Sequence, residues 1–148
     1  MLIVVLVCVF LTELSTVIYY EVLRILDRWL PRLHIPSRTK LLALMFAAFF
    51  AHGLEIVVYG VAVFARIKYV DVGSLAGRPL SFVNCIYFSA ETYTSLGFGD
   101  LTPTGPLRPI AGVEALNGLL LIGWSASYAY FAMERFWSME SSRPDQQP

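Results

Sequence analysis

At 148 residues, 57% of them hydrophobic, and with a mean hydropathy of +0.62, the chain is too apolar for a soluble domain of its size, which would need more polar cover. Its charge balances at 11 basic against 11 acidic side chains, so nothing in it suggests a nucleic-acid partner. Cys8 and Cys85 lie in apolar stretches without metal-ligand spacing and read as packed free thiols. The composition points to one domain embedded in a membrane.

Residues 1–26 form the first predicted membrane helix. Leu2 to Leu26 carries Glu13, Glu21 and Arg24 as its only charges, and about 20 apolar residues suffice to cross a bilayer. A cleaved signal peptide would need a basic start and a small-residue cleavage site, and the stretch has neither. Residues 27–40 form a linker broken by Pro31 and Pro36 and rich in Arg28, Arg32, Arg38 and Lys40. Cytoplasmic loops collect Lys and Arg, which puts the linker inside the cell and the N-terminus outside. Trp29, Leu30, Leu33 and Ile35 interleave with the basic residues, as in a segment lying along the inner headgroup layer. His34 there reads as a solvated interfacial side chain, with pH sensing as the sharper alternative.

Residues 41–65 give the second predicted membrane helix. Its breaks in apolarity are His52 and Glu55, three apart and so on one face. Ionisable groups inside a membrane are costly and face protein or water rather than lipid. The pair reads either as a proton-sensitive couple tied to gating or as a hydrogen-bonded contact with a neighbouring helix, such as the one bearing Glu13. Residues 66–80, with Gly73, Gly77 and Pro79, form a polar connection that also holds Arg66, Lys68 and Arg78. Residues 81–93 are apolar with helical spacing, too short to span the bilayer but long enough to enter and turn back. Such re-entrant backbone is tolerated only where protein or a water-filled cavity surrounds it. Ser81 is placed to cap this half-helix. Residues 109–136 give the third predicted membrane helix, with Glu114 and Asn117 three apart on it, and residues 138–148 a short polar tail. No helix carries the arginine ladder of a voltage sensor.

Between the half-helix and the last helix runs Thr94-Ser95-Leu96-Gly97-Phe98-Gly99-Asp100. Glycines alternating with bulkier residues suit a backbone that alternates between ordinary and left-handed geometry, because Gly tolerates the latter. In such a strand successive carbonyls can point the same way. A row of carbonyl oxygens closed into a ring by symmetry is a ligand set for a hard monovalent cation. Ser89 to Pro103, read through Ser95-Leu96-Gly97-Phe98-Gly99, resembles the pore helix, selectivity filter and outer mouth of tetrameric potassium channels, whose filter is usually T-V-G-Y-G. The resemblance covers roughly residues 40 to 137, is of the two-transmembrane pore-loop type with an additional N-terminal helix, and leaves residues 1 to 39 unexplained.

The resemblance implies an all-α membrane protein of three transmembrane helices plus a re-entrant pore helix and selectivity filter, assembling as a homotetramer. Its pore domain would be 41–137: outer helix 41–65, turret 66–80, pore helix 81–93, filter 94–100, inner helix 109–136. Potassium would be held by the carbonyls of Ser95, Leu96, Gly97 and Phe98 and the hydroxyl of Ser95, with Thr94 at the cavity end. Glu91, Asp100, Tyr87, Phe88 and Gly99 would support the filter. Gly118 matches a hinge glycine, or else only permits close packing, and Ile122, Ala126 and Tyr130 would line the cavity.

The departures from the family pattern carry their own expectations. Ser95 lacks the β-branch that stiffens threonine. Phe98 and Phe88 replace a hydrogen-bonded pair by an apolar cuff, Tyr87 is within reach of Asp100, and Glu91 and Asp100 match positions that share a proton in some family members.

The function expected is passive, potassium-selective conduction, with no cofactor beyond the bound K+ ions. The partners are further copies of the chain, membrane lipid and K+, in a cell (inner) membrane, with the C-terminus cytoplasmic. A weakly selective monovalent cation channel and a non-conducting regulatory or scaffold subunit are the alternatives. An enzyme is not expected, since no nucleophile–base pair or metal cluster stands in the sequence.

Overall fold

Long apolar runs without an interior breaker make long helices, and three of them organise the chain. The computed structural model describes residues 2–32, 36–71 and 73–141. Helix α1 spans Leu2–Trp29 and α2 spans Ser37–Val70. The short α3 covers Phe82–Tyr93, and α4 spans Leu107–Ser141. Among the described residues α1, α2 and α4 are long and apolar enough to cross a membrane. This is an all-α membrane protein. A two-residue antiparallel ladder, β1 (Leu75–Ala76) against β2 (Thr102–Pro103), pairs Leu75 with Pro103 and ties the α2–α3 connection to the loop ahead of α4.

Every long helix outruns its predicted limits, for identifiable reasons. α1 continues past Leu26 to Trp29 and gives way to a 3₁₀ turn at Leu30–Arg32, where Pro31 cannot extend the α-helical ladder. α2 was expected to stop before the charge at Arg66. Instead Arg66 is buried, Lys68 lies over the rings of Phe64 and Tyr69, and the helix ends where Asp71 turns left-handed at φ +52. α4 begins at Leu107, two residues before Pro109, because a proline in the first turn gives up no intrahelical N–H bond. It also runs on to Ser141, so the polar tail expected from 138 starts later, and 142–148 lie outside the described residues. The same is true of His34.

Burial on α1 recurs at Val4, Cys8, Leu11, Ser15, Tyr19, Leu23 and Leu26, the three- and four-residue steps of one helical stripe, and continues at Leu30 in the 3₁₀ turn. That stripe enters two cores. Near the start of α1, Val4, Cys8 and Leu11 pack with Tyr59 of α2 and with Leu107 and Ile110 of α4. Toward its end, Tyr19, Leu23, Leu26 and Leu30 pack with Leu44 and Ala51 of α2 and Leu121 of α4. α1 and α4 therefore run in the same direction and α2 against them. Cys85 and Phe88 of α3 form a third cluster with Val63 and Leu101. Both cysteines are buried free thiols. Phe46, Phe49 and Phe50 of α2 stand exposed on the outer surface, as lipid-facing side chains do.

Candidate ion-conduction site

The half-helix α3 is fixed at both ends. Ser81 caps its start, its side chain accepting the Asn84 backbone N–H at 3.0 Å. Its middle presses on α2 at Gly60, where an added Cβ would fall 2.6 Å from Ile86 Cδ1. Its end presses on α4 at Gly118, where an added Cβ would fall 2.1 Å from the Tyr93 carbonyl oxygen. Gly118 thus sits under the last residue of α3, buried, apart from the exposed stripe of Ile122, Ala126 and Tyr130 on the same helix. Close helix packing accounts for this glycine directly.

Beyond Tyr93 the chain leaves the helix in an uncommon way. The Ser95 N–H donates to Thr92 O at 3.0 Å and the Gly97 N–H to Glu91 O at 3.2 Å. Ser95, Gly97 and Gly99 have φ of +58°, +55° and +82°, while Leu96 and Phe98 between them do not enter positive φ. A left-handed serine is unusual, because its Cβ crowds the backbone in a way glycine avoids. Three left-handed residues, each separated by one ordinary residue, form the alternating strand that the glycine spacing predicts. Leu96 and Phe98 point away from the protein, 64% and 67% exposed.

Glu91, on the last turn of α3, reaches around to this strand, and its Oε2 accepts the Phe98 backbone N–H at 3.1 Å. Burial pushes the Glu91 carboxyl above its ordinary range; the Phe98 amide opposes that, and the negative charge of Asp100 adds to it. Asp100 is held elsewhere. Its Oδ1 accepts from Tyr87 Oη at 3.2 Å, and its Oδ2 lies 3.4 Å from Arg78 Nη2. The sequence resemblance suggested one proton shared between the two carboxyls. The structure gives each its own partners, because Arg78 supplies Asp100 with a positive charge and the strand backbone supplies Glu91 with a donor.

Thr94 is exposed just beyond α3, and its hydroxyl donates to Ala90 O at 2.7 Å. Phe88 faces Val63, Cys85 and Leu101 while Phe98 stands exposed, so no apolar cuff between them closes within one chain.

Behind the strand lies a buried polar chain that the sequence showed only in pieces. His52 Nδ1 is 2.9 Å from Tyr93 Oη and its Nε2 is 2.7 Å from Ser125 Oγ. Tyr19 of α1 stacks on the His52 ring, centroids 5.4 Å apart, and its hydroxyl hydrogen-bonds Ser125. One turn along, Ser15 donates to Glu55, and Asn117 Nδ2 donates to Ser15 Oγ at 2.9 Å and to Tyr59 Oη at 3.3 Å. The Ser89 hydroxyl lies between the Ile56 carbonyl, at 2.8 Å, and the Glu114 carboxyl. His52 and Glu55 do contact the first helix, but through Ser15 and Tyr19; Glu13 faces outward. Composition does not single out Ser15 and Tyr19; their four-residue step from Leu11, on the stripe that begins at Val4, is the sequence signal that places them on this face.

Comparison with known proteins agrees with this geometry. Residues 39–135 match the model of a family described as an ion channel. A stretch of 59 residues is 39% identical to the inward rectifier potassium channel Kirbac3.1 of Paramagnetospirillum magnetotacticum; it covers 39% of this chain and 20% of that protein, so the chain spans about a fifth of its relative's length. No solved structure matches the chain. With its pore-loop arrangement of two long helices around a half-helix and a glycine-alternating strand, the chain belongs to this ion-channel family.

Proposed function

We propose that four copies of this chain meet on a common axis and conduct potassium passively and selectively. The ions are stripped of water by the backbone carbonyls of Ser95, Leu96, Gly97 and Phe98. The observation that carries this reading is the alternation of left-handed Ser95, Gly97 and Gly99 with ordinary Leu96 and Phe98, directly beyond a half-helix. That alternation is the backbone state in which carbonyls align on one side, and the negative end of the α3 dipole favours a cation below them. One chain supplies one wall of such a cage, so a closed four-fold ring is needed to complete it. The exposure of Leu96, Phe98, Ile122 and Tyr130 leaves them free to be covered by neighbours or to line a cavity. Arg24, Arg28, Arg32, Lys40 and Arg135 lie toward the end away from the strand and Arg66, Lys68, Arg78 and Arg108 toward the strand, a modest contrast that favours a cytoplasmic location for the former end. The filter resemblance supports the outward-facing strand more strongly.

Flux from liposomes reconstituted with the full chain tests the reading. Potassium efflux is expected to be rapid, to be blocked by barium and to fall by about a hundredfold or more when sodium replaces potassium, a ratio equivalent to roughly 3 kcal/mol. Equal potassium and sodium fluxes would establish a weakly selective cation channel instead, and the absence of both would overturn conduction.

A further inference from the structure

His52 stands at a junction that conduction alone does not explain. Its imidazole bridges two elements that a channel must hold in register: Tyr93, the last residue of α3, and Ser125, which lies between Ile122 and Ala126 in the sequence of α4. Tyr93 is the point where α3 meets Gly118, and the chain passes from it through Thr94 to the left-handed Ser95. Any movement of the Tyr93 side chain is therefore handed to the strand within two residues. A third element closes the bridge, since Tyr19 of α1 covers the ring face and shares Ser125, with Trp124 packed 5.7 Å from Tyr19.

We propose that His52 is a positioning residue for the filter: while neutral it latches the end of the pore helix to α1 and α4, and on protonation it lets go. This rests on the conduction reading above. A neutral imidazole has one donor and one acceptor nitrogen, which is what two flanking hydroxyls can satisfy, one by donating and the other by accepting. An imidazolium has two donors. Both Tyr93 Oη and Ser125 Oγ must then accept; in the tautomer whose Nδ1 accepts from Tyr93, which the latch requires, protonation leaves the Tyr93 hydroxyl hydrogen without a partner in a buried place. Of the groups facing the ring, Glu55 is the acidic one and the rest are hydroxyls. From α2, Glu55 lies three residues on along the same face, fully buried, with Oε2 bonded to Ser15 and Oε1 without a partner. That unpartnered carboxyl oxygen is the group on this face that can accept a bond from an imidazolium that leaves Tyr93. From α1 the facing groups are Tyr19 and Ser15, from α3 Tyr93, and from α4 Ser125; Tyr59, Asn117 and Glu114 stand one step further along the buried chain. Apart from Glu55, the described groups facing the ring are uncharged hydroxyls, with no further anion among them to hold the ring in place once it is charged. His52 is half-buried, so a proton can reach it. Histidine is also the side chain whose ordinary titration falls between about pH 5 and 8.

The test is potassium flux from liposomes at about pH 8 and about pH 5, the same on both sides, spanning the range in which an imidazole changes charge. In the wild type, acid is expected to make the flux decay about fivefold faster or more, the lower end of ordinary coupling between sites. In His52→Gln, which keeps a donor and an acceptor but cannot titrate, the two decays coincide. Tyr93→Phe, which removes the hydroxyl on the far side of the latch, decays at both pH values as the wild type does in acid. The step survives Glu91→Gln, which separates it from titration beside the filter. A pH step retained in His52→Gln overturns the latch while leaving conduction intact. Should that variant fail to assemble, a step retained in Tyr93→Phe does the same. Trp124 emission in a Trp29→Phe, Trp137→Phe background is read in parallel. If no chain conducts but the emission shifts between the two pH values and the shift is lost in His52→Gln, the latch stands and conduction fails. If the wild-type emission does not shift, the latch fails whatever the flux.

Discussion

A carboxyl that accepts a backbone amide from an irregular strand does more than neutralise a donor, because the strand has few other bonds to fix it. Glu91 does this for Phe98 at 3.1 Å. Glu91→Ala removes the acceptor of the half-buried Phe98 N–H, a loss of about 1 kcal/mol, the net worth of an ordinary hydrogen bond. Faster decay of potassium current under steady voltage is the expected outcome, while Glu91→Gln, which keeps an acceptor oxygen and carries no charge, should decay as the wild type does. Identical decay in all three would show that the bond bears no weight in holding the strand. At this scale the glycine spacing announced the alternating backbone, because only a few residue types accept positive φ. What it did not announce was a left-handed Ser95, nor the separate partners of Glu91 and Asp100. Those depend on where Arg78 and the turning backbone arrive in space, which no local pattern encodes.

Helices are where hydropathy speaks most clearly, and α1, α2, α3 and α4 all follow from runs of apolar residues. Their ends were harder to read, since a charged residue near a helix end can bury its stem, as Arg66 does, or lie across aromatic rings, as Lys68 does. The association of α1 with α2 was legible only as a contact sought by His52 and Glu55, made in the structure by Ser15 and Tyr19, and the association of α1 with α4 was not legible. A predicted membrane helix states that it crosses, not what it crosses beside, and in lipid the choice of neighbour falls to small residues and polar contacts. Asn117 is the contact that joins all three, donating to Ser15 on α1 and Tyr59 on α2. Asn117→Ala should lower the stability of the detergent-solubilised protein by about 1–2 kcal/mol. The control Ser127→Ala, which removes an exposed hydroxyl bonded only to the Gly123 carbonyl within its own helix, should stay close to zero. Thermal or denaturant unfolding of both variants checks this, and equal effects would count against a joining role for Asn117.

For the whole molecule, the question is what covers the surfaces that one chain leaves bare. Leu96 and Phe98 beside the strand, and Leu116, Leu119 and Leu120 along α4, are exposed together on elements that a four-fold assembly would bring inward or against neighbours. The native mass in mild detergent should therefore be that of four chains of 16.6 kDa each. Light scattering with chemical cross-linking reads this directly. A stable monomer would leave the carbonyl row of a single strand with no ring to complete.

The seam between α1 and the rest carries a practical consequence. Sequence similarity to the channel family starts at residue 39, so a worker trimming the gene to the recognisable portion would discard Ser15 and Tyr19 with the first helix. What remained would display a naked acid, Glu55, and an uncovered imidazole, His52, to the acyl chains. The opening thirty-odd residues supply the partner of the one group and the cover of the other.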